Sequence, residues 1–590
     1  MITLPEVAEG ELERYEGMLV HIATPLTASQ NFFQGRYGQV TLSAEGRLEK
    51  PTNRHPAGSV EALAMEDENA RRRILLDDGL SIQNPDPTPY LGADTTLRAG
   101  DVLPSGVTGV IDYGLATNLT DGISDYKIHP TEPVVFSREN ARPGTPAPVG
   151  GNVRVGAFNV LNYFTTIDQA GASCFPGGGR SDCRGADSAA EFTRQRDKIV
   201  KAIVGLNADV VGLMEIENNG NTAVQNLVSG LNAVAGANTY ATIAMPTGGS
   251  GTDAIRVAMI YKPGKLSLVG QARSDTNGVH NRPPLAQTFA AANGERFSVV
   301  VNHFKSKGSC PSGSGADADA GDGQGCWNAT RVDQAQALLD FISQIQSTSG
   351  SNDVMVVGDI NAYGKEDPIL ELTNNGLVDE IARFNAFGYS YVFDGEAGYL
   401  DHGLATASLS AKVTGAIHWR INADEPSVID YNTEFKLTDY YTNTVYRSSD
   451  HDPVLVGLAL RKAVNGTASR DTLVGTAGDD VITGGPGADV LTGGAGADVF
   501  VYTDLRDAGD RVTDFVPGTD RIDLAALLQS IGYTGGNAMA DGVVRLVDSA
   551  AGLVVQIDAD GHAGPLAARP LLTLSGVNAA QIVAARDLGL

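Results

Sequence analysis

Hydrophobic and polar positions change their rhythm twice along the chain. Up to residue 137, short β-branched and aromatic runs such as GMLVHIAT, YGQVTLS, RRRILLDD and GVTGVIDYG are separated by turn signals. That pattern predicts a small all-β domain at 1–137, OB-like in scale. Residues 138–152 are rich in Pro and Gly and read as an interdomain linker. From 153 to 460 the apolar runs VRVGAFNV, DVVGLME, AIRVAMIY, RFSVVVNHF, DVMVVGD and PVLVGLAL read as buried strands. Between them RQRDKIVKAIVGL and TRVDQAQALLDFISQIQ carry helical spacing, so an α/β domain with helices covering sheets is expected.

After Arg461 a nine-residue period appears, GTASRDTLV, GTAGDDVIT, GGPGADVLT and GGAGADVFV in tandem from Gly466 to Val501. The last two fit G-G-x-G-x-D-x-U-x, in which glycines turn, the aspartate binds calcium and the apolar residue packs inside a parallel β-roll. The segment 461–590 is therefore expected to be a calcium-binding unit.

At 590 residues the chain has room for about three folded units. Its formal net charge of −27 opposes a nucleic-acid reading, because such binding relies on Lys and Arg neutralising phosphates. Residues 461–590 hold 16 acidic and 9 basic side chains, so the tail alone does not account for the charge. A nucleic-acid enzyme with this composition must supply positive charge locally.

Cys174, Cys183, Cys310 and Cys326 form two close pairs in Gly-, Ser- and Asp-rich stretches. They read as two local disulfides, with free thiols or a metal site as the alternatives; neither pair has the two-residue spacing of common zinc clusters. Disulfides favour an oxidising, extracellular setting. The start, MITLPEVAEGELERYEG, lacks the basic and apolar regions of a secretory signal, so either the export signal lies elsewhere or the native start is missing. No run approaches the apolar length of a membrane helix.

Several of the middle strands end on a polar residue that a buried strand should not contain: Asn159, Glu215, His303, and Asp359 with Asn361. Asp401 in GYLDHGL and Asp450 with His451 in SSDHDPV add two carboxylates and a second histidine. Each alone has a bland explanation as a turn former or a structural side chain. Together they offer oxygen ligands for a hard cation and histidines for proton transfer.

The ordered stretches FNVLN, LMEIEN, NHFKSKG, GDINAYG, YLDHGLA and SSDHDPV resemble the endonuclease/exonuclease/phosphatase superfamily, which includes pancreatic deoxyribonuclease and the abasic-site endonucleases. LERYEGMLV, GRYGQVTLS, NPDPTPY and the cysteines of CFPGGGRSDCRGAD are similar to ExeM-type bacterial extracellular nucleases. The resemblance implies a deoxyribonuclease-I-like, four-layered α/β sandwich over 153–460. It implies Mg²⁺ or Mn²⁺ held by Glu215 and Asp450 with Asn159 close by, and His451 as the base, oriented by Asp401. Asp359 and Asn361 would position nucleophile and phosphate, and His303 would contact the phosphate or protonate the leaving oxygen. Arg282 resembles a phosphate-contacting arginine, while Lys305 and Lys307 either bring positive charge to the groove or form a solvated face. Leu161 stands where abasic-site endonucleases carry an acidic ligand, which leans the likeness toward pancreatic deoxyribonuclease.

The tail resembles the repeats-in-toxin segment of type I secreted proteins, and DRVTDFVPGTDRIDL is similar to their export domains. Asp480, Asp489 and Asp498 are the implied calcium ligands, with Asp471 in a degenerate turn. The whole reads as a multidomain, secreted, metal-dependent nuclease acting on extracellular DNA, with RNA left open, and with the type I secretion apparatus as a partner. No membrane insertion is expected, and oligomeric state and a further Ca²⁺ in the catalytic domain are left open. The alternatives are a phosphatase or phospholipid phosphodiesterase of the same superfamily, and, from another class, a calcium-dependent matrix or adhesion protein.

Overall fold

Strands apolar on both faces must be covered on both, and the middle of this chain does so with two sheets laid face to face. The computed structural model describes residues 1–115, 124–169, 172–174 and 183–590. These form two compact units, one of Met1–Gly264, Leu268–Phe289 and Phe297–Leu458, the other of Lys265–Ser267, Ala290–Arg296 and Ala459–Leu590.

In the first unit, strands β1 (Val153–Tyr163), β2 (Val210–Glu217), β3 (Arg296–His303), β4 (Val354–Asp359), β5 (Asp401–Thr406) and β6 (Val454–Leu458) carry the residues of interest. One six-stranded sheet contains β2, β1 and β6 in that order, and the other contains β3, β4 and β5. A side chain at Gly212 of β2 would meet Val301 of β3 and Val357 of β4, so the sheets are in direct contact. Helices Ala189–Leu206 and Thr222–Ala235 bury Ile199, Ile203, Leu227 and Leu231 against Val211, Leu213 and Ile260 on the outer face of the first sheet. Helix Asn328–Ser349 does the same for the second with Leu338, Phe341 and Ile345 against Val354 and Val356. The result is the expected four-layered α/β sandwich.

The N-terminal part is a seven-stranded sheet whose alternate residues Val40, Leu42, Ile74 and Leu76 fill a core. It is not purely β. Helix Val60–Arg72 interrupts it, capped by the Ser59 hydroxyl accepting from Ala62 N–H. Its sequence VEALAMEDENARR is mostly strong helix formers with one buried apolar anchor, Ala62, so a search for apolar periodicity passes over it. Residues 138–152, expected as a linker, are fastened down: Arg138 pairs with Asp94 and Asp101, Arg142 with Glu425, and Val149 is buried.

Both cysteine pairs are bridged as expected, Cys174 to Cys183 and Cys310 to Cys326. Among the described residues no helix is long and apolar enough to cross a membrane.

The second unit contains a roll of two sheets, one of five parallel strands and one of six whose first four strands are parallel and whose last two, Gly552–Ile557 and Val544–Ser549, pair antiparallel. Residues eighteen apart pair in register, Val464 with Ile482 and Leu473 with Leu491, and Ile482, Leu491, Phe500, Val512 and Ile522 line the interior.

Candidate active site

Strand register assembles the site. His303 lies opposite Asp359 where β3 runs parallel to β4, and Asp359 lies opposite Asp401 where β4 runs antiparallel to β5. In the other sheet Met214 of β2 faces Asn159 of β1, and the ladder then skips to Ile216. The skipped residue is Glu215, with φ 64°, a conformation that costs a non-glycine residue on the order of 1 kcal/mol or more. This bulge turns its carboxylate toward the strand ends.

Asn159 joins the two sheets there. Its amide donates to Glu215 Oε1 at 3.1 Å and to Asp359 Oδ2 at 3.4 Å. The N–H of Asn162 donates to Glu215 Oε2 at 2.9 Å. Asn361, also left-handed at φ 52°, donates its backbone N–H to Asp359 Oδ1 and its side-chain amide to the Phe304 carbonyl.

Asp450 and His451 arrive on the loop that enters β6. Asn422 holds that loop, its amide donating to the His451 carbonyl and its oxygen accepting from Ser448 and Ser449. One oxygen of Asp452 accepts from the backbone of Ile421, Asn422 and Ala423. Beneath this lies a buried ionic network from the β-domain. Asp424 accepts from Arg98, Arg47, Asn140 and Tyr389. Glu425 accepts from Arg98, from both ends of the Arg142 fork and from Thr96.

His451 Nδ1 is 2.7 Å from Asp401 Oδ2, which also accepts from the Ser390 hydroxyl at 2.7 Å. Bonding at Nδ1 leaves Nε2 as the proton-accepting atom. The Tyr391 ring lies 4.6 Å from the imidazole, centroid to centroid. Burial works against charge on His451, but Asp401 and Asp450 override it and hold the group well above the usual imidazole range. Asp401 is buried too, yet His451 and Ser390 keep it below the usual carboxylate range. His303 goes the other way, since burial and the nearby Arg282 cation drive its affinity for a proton far down and leave the ring neutral.

Glu215 is pushed up by burial and by the charge of Asp450. Carboxylates this close, with the Asn159 amide oriented by the Leu161 N–H, form an oxygen donor set that fits a hard divalent cation.

Asn159, Glu215, His303, Asp359, Asn361, Asp401, Asp450 and His451 thus converge, as the strand-end pattern suggested. Arg282 sits behind them, its guanidinium donating to the carbonyls of His303 and Phe304, with one nitrogen 3.8 Å from Asp253. Lys305 lies over the Trp327 ring at 4.5 Å. Lys307 is paired with Glu366 and bonded to the Gln324 carbonyl, so it lends the groove no spare charge. Ser390, Tyr391, Asn422 and Ser449 were not read from sequence.

In the second unit Asp480, Asp489 and Asp498 are buried. The N–H of Asp471 donates to Asp489 Oδ1 at 2.8 Å and that of Asp480 to Asp498 Oδ1 at 3.0 Å. The ladders continue beyond the repeats, Asp489 N–H to Asp510 and Asp498 N–H to Asp520. The remaining oxygens of Asp489, Asp498 and Asp510 are buried without a hydrogen-bond partner. Burial and neighbouring aspartates push Asp498 and Asp510 up to about 7. Asp510 and Asp520 escaped the sequence reading because their steps are 21 and 22 residues, not 18.

Residues 156–451 match the model of the endonuclease/exonuclease/phosphatase family, and residues 465–500 match the RTX calcium-binding nonapeptide repeat (4 copies). Similar solved structures include the human Nocturnin catalytic domain with bound sulfate anion, 18% identical, covering 52% of this chain and 93% of that one, TM-score 0.32. The mannosyl-6-phosphatase of Bacteroides thetaiotaomicron is 14% identical, covering 52% of this chain and all of that one, TM-score 0.34. D. rerio TDP2 complexed with single strand DNA product is 14% identical, covering 52% and 97%, TM-score 0.31. No curated protein sequence matches the chain.

Proposed function

The chain belongs to the endonuclease/exonuclease/phosphatase family, and we propose that within it this protein is a secreted, divalent-metal-dependent nuclease that cuts DNA. The observation that carries the reading is the Asp401–His451 pair beside the carboxylates of Glu215 and Asp450. A binding module has no use for a carboxylate-oriented imidazole next to a cation site.

Glu215 and Asp450, with Asn159, would hold Mg²⁺ or Mn²⁺, which when bound neutralises phosphate charge and stabilises the pentacovalent transition state. His451 Nε2 accepts the proton of the attacking water while Asp401 fixes the ring's tautomer and favours its charged form. Asp359 and Asn361 orient the water and the phosphate. His303 contacts the phosphate or protonates the leaving oxygen. Arg282 sets the backbone of His303 and Phe304 and adds positive charge behind it. The repeats support export by a type I apparatus with calcium bound outside the cell.

Circular DNA, linear DNA, RNA and a phosphomonoester, digested side by side with Mg²⁺, Mn²⁺ or Ca²⁺, test the reading. Metal-dependent nicking of circular DNA with the monoester spared is expected. Hydrolysis of the monoester without DNA cleavage would make the protein a phosphatase.

A further inference from the structure

A cleft of about 690 Å³ opens beside Asp450 and Tyr391 and is walled on its far side by the β-domain segment Gln30–Tyr37. Its size lies in the usual range for ligand sites, roughly 300 to 1,000 Å³. Tyr391, on the near wall, is the ring that lies on His451, so the cleft is continuous with the reaction centre.

The walls carry aromatic rings that no core uses. Phe32 is 51% exposed and Phe435 is 62% exposed. Phe32 stands edge-on to Phe33 at 5.0 Å, which braces it. The Arg36 guanidinium lies 4.0 Å over the Phe435 ring, and its hydrogen bonds go to neutral partners, Tyr37 and Gln83. Phe435 has φ 58°, a conformation that a bulky side chain adopts only against strain. Beyond the Arg36 contact, a large apolar ring held in water on a strained backbone has little structural return.

Charge decides what the rings can receive. The cleft also presents Asp187, Asp430 and Glu434. Lys436 is paired with Asp430, and Arg36 and Arg447 are set against Asp187, Glu434 and Asp450, so the cleft carries no net positive charge. A groove of this kind cannot track a duplex backbone by neutralising phosphates. It can take bases by their faces, since stacking on an aromatic ring is sequence-tolerant and does not depend on net charge.

We propose that this cleft is a subsite for one or two unpaired nucleotides flanking the scissile phosphate, with bases stacking on Phe32 and Phe435 and a neighbouring phosphate meeting Arg36. The β-domain thereby contributes directly to substrate selection, favouring single-stranded or frayed DNA over closed duplex. The inference rests on the nuclease reading above.

Steady-state kinetics of the full chain on a single-stranded oligonucleotide and on bis(4-nitrophenyl) phosphate, which carries no flanking nucleotide, test it. Phe32→Ala and Phe435→Ala should each raise KM on the oligonucleotide about tenfold relative to the small diester. Phe435→Trp should restore most of the difference, because a larger ring stacks at least as well. A double alanine variant whose two KM values move together, or do not move, overturns the subsite while leaving the nuclease reading intact. A wild-type protein that hydrolyses the small diester but no oligonucleotide overturns the nuclease reading and the subsite with it.

Discussion

His451 concentrates the chemistry at a single imidazole, and its removal is the sharpest test of the mechanism. His451→Ala should lower turnover about a hundredfold or more, the usual contribution of a general base, with an unchanged circular dichroism spectrum. Near-normal activity would remove the residue from the mechanism. Glu215→Ala and Asp450→Ala should fail differently, by weakening metal affinity, so excess Mg²⁺ or Mn²⁺ restores part of their activity. If neither responds, the ligands have been misassigned. These residues were legible because each is a polar side chain ending or preceding an apolar strand, where burial without a purpose is costly. Ser390 and Asn422 were not legible. Their partners Asp401 and His451 lie 11 and 29 residues away, across turns, and nothing in the local pattern of GYSYVF or RINADE announces either contact.

At the scale of elements, the loop bearing the catalytic histidine is only as firm as the ionic network under it. Arg98 is 1% exposed and bonds both Asp424 and Glu425. Arg98→Met should cost about 3 to 5 kcal/mol in denaturant unfolding, because two buried carboxylates lose a partner. Burial raises Asp424, but Arg47 and Arg98 override it; burial raises Glu425, but Arg142 and Arg98 override it, so both sit below the ordinary carboxylate range. A depressed folded value stabilises the protein above the unfolded value of roughly 4, and that stability is lost as pH falls through the folded value. Stability followed by urea unfolding should therefore drop steeply below about pH 4, and less steeply in Arg98→Met. A variant with the same acid slope as wild type would show that the network does not set it. The strands of the sandwich could be read from their apolar runs, whereas these ion pairs span more than 300 residues of sequence and could not. The helix Val60–Arg72 was missed for the opposite reason, since its propensity is high and its apolar signature weak.

For the whole molecule, the two units should respond differently to calcium. The roll is acidic and Gly-rich, so without cation its buried aspartates repel and its small core does not offset the entropy of ordering. Bound Ca²⁺ contributes folding energy directly. Hydrogen exchange on the full chain should show residues 461–590 unprotected in EDTA, protected in millimolar Ca²⁺, and much less so in Mg²⁺, which demands strict octahedral geometry. Protection of the tail in EDTA equal to that in Ca²⁺ would refute this. Deleting 461–590 should abolish export yet leave the sandwich active, and continued secretion would place the address elsewhere. The repeats were the most legible part of the chain, because period alone specifies turn, ligand and core position at once, and legibility ended where the period broke, at Asp510 and Asp520. The in-register pairing of residues eighteen apart has a consequence for evolution. Adding or removing eighteen residues inserts or deletes one layer of both sheets and keeps every later strand on its own side. A change of nine sends each later strand to the opposite sheet. The tail can therefore lengthen by duplication in even counts of repeats, and an odd count must be repaired downstream.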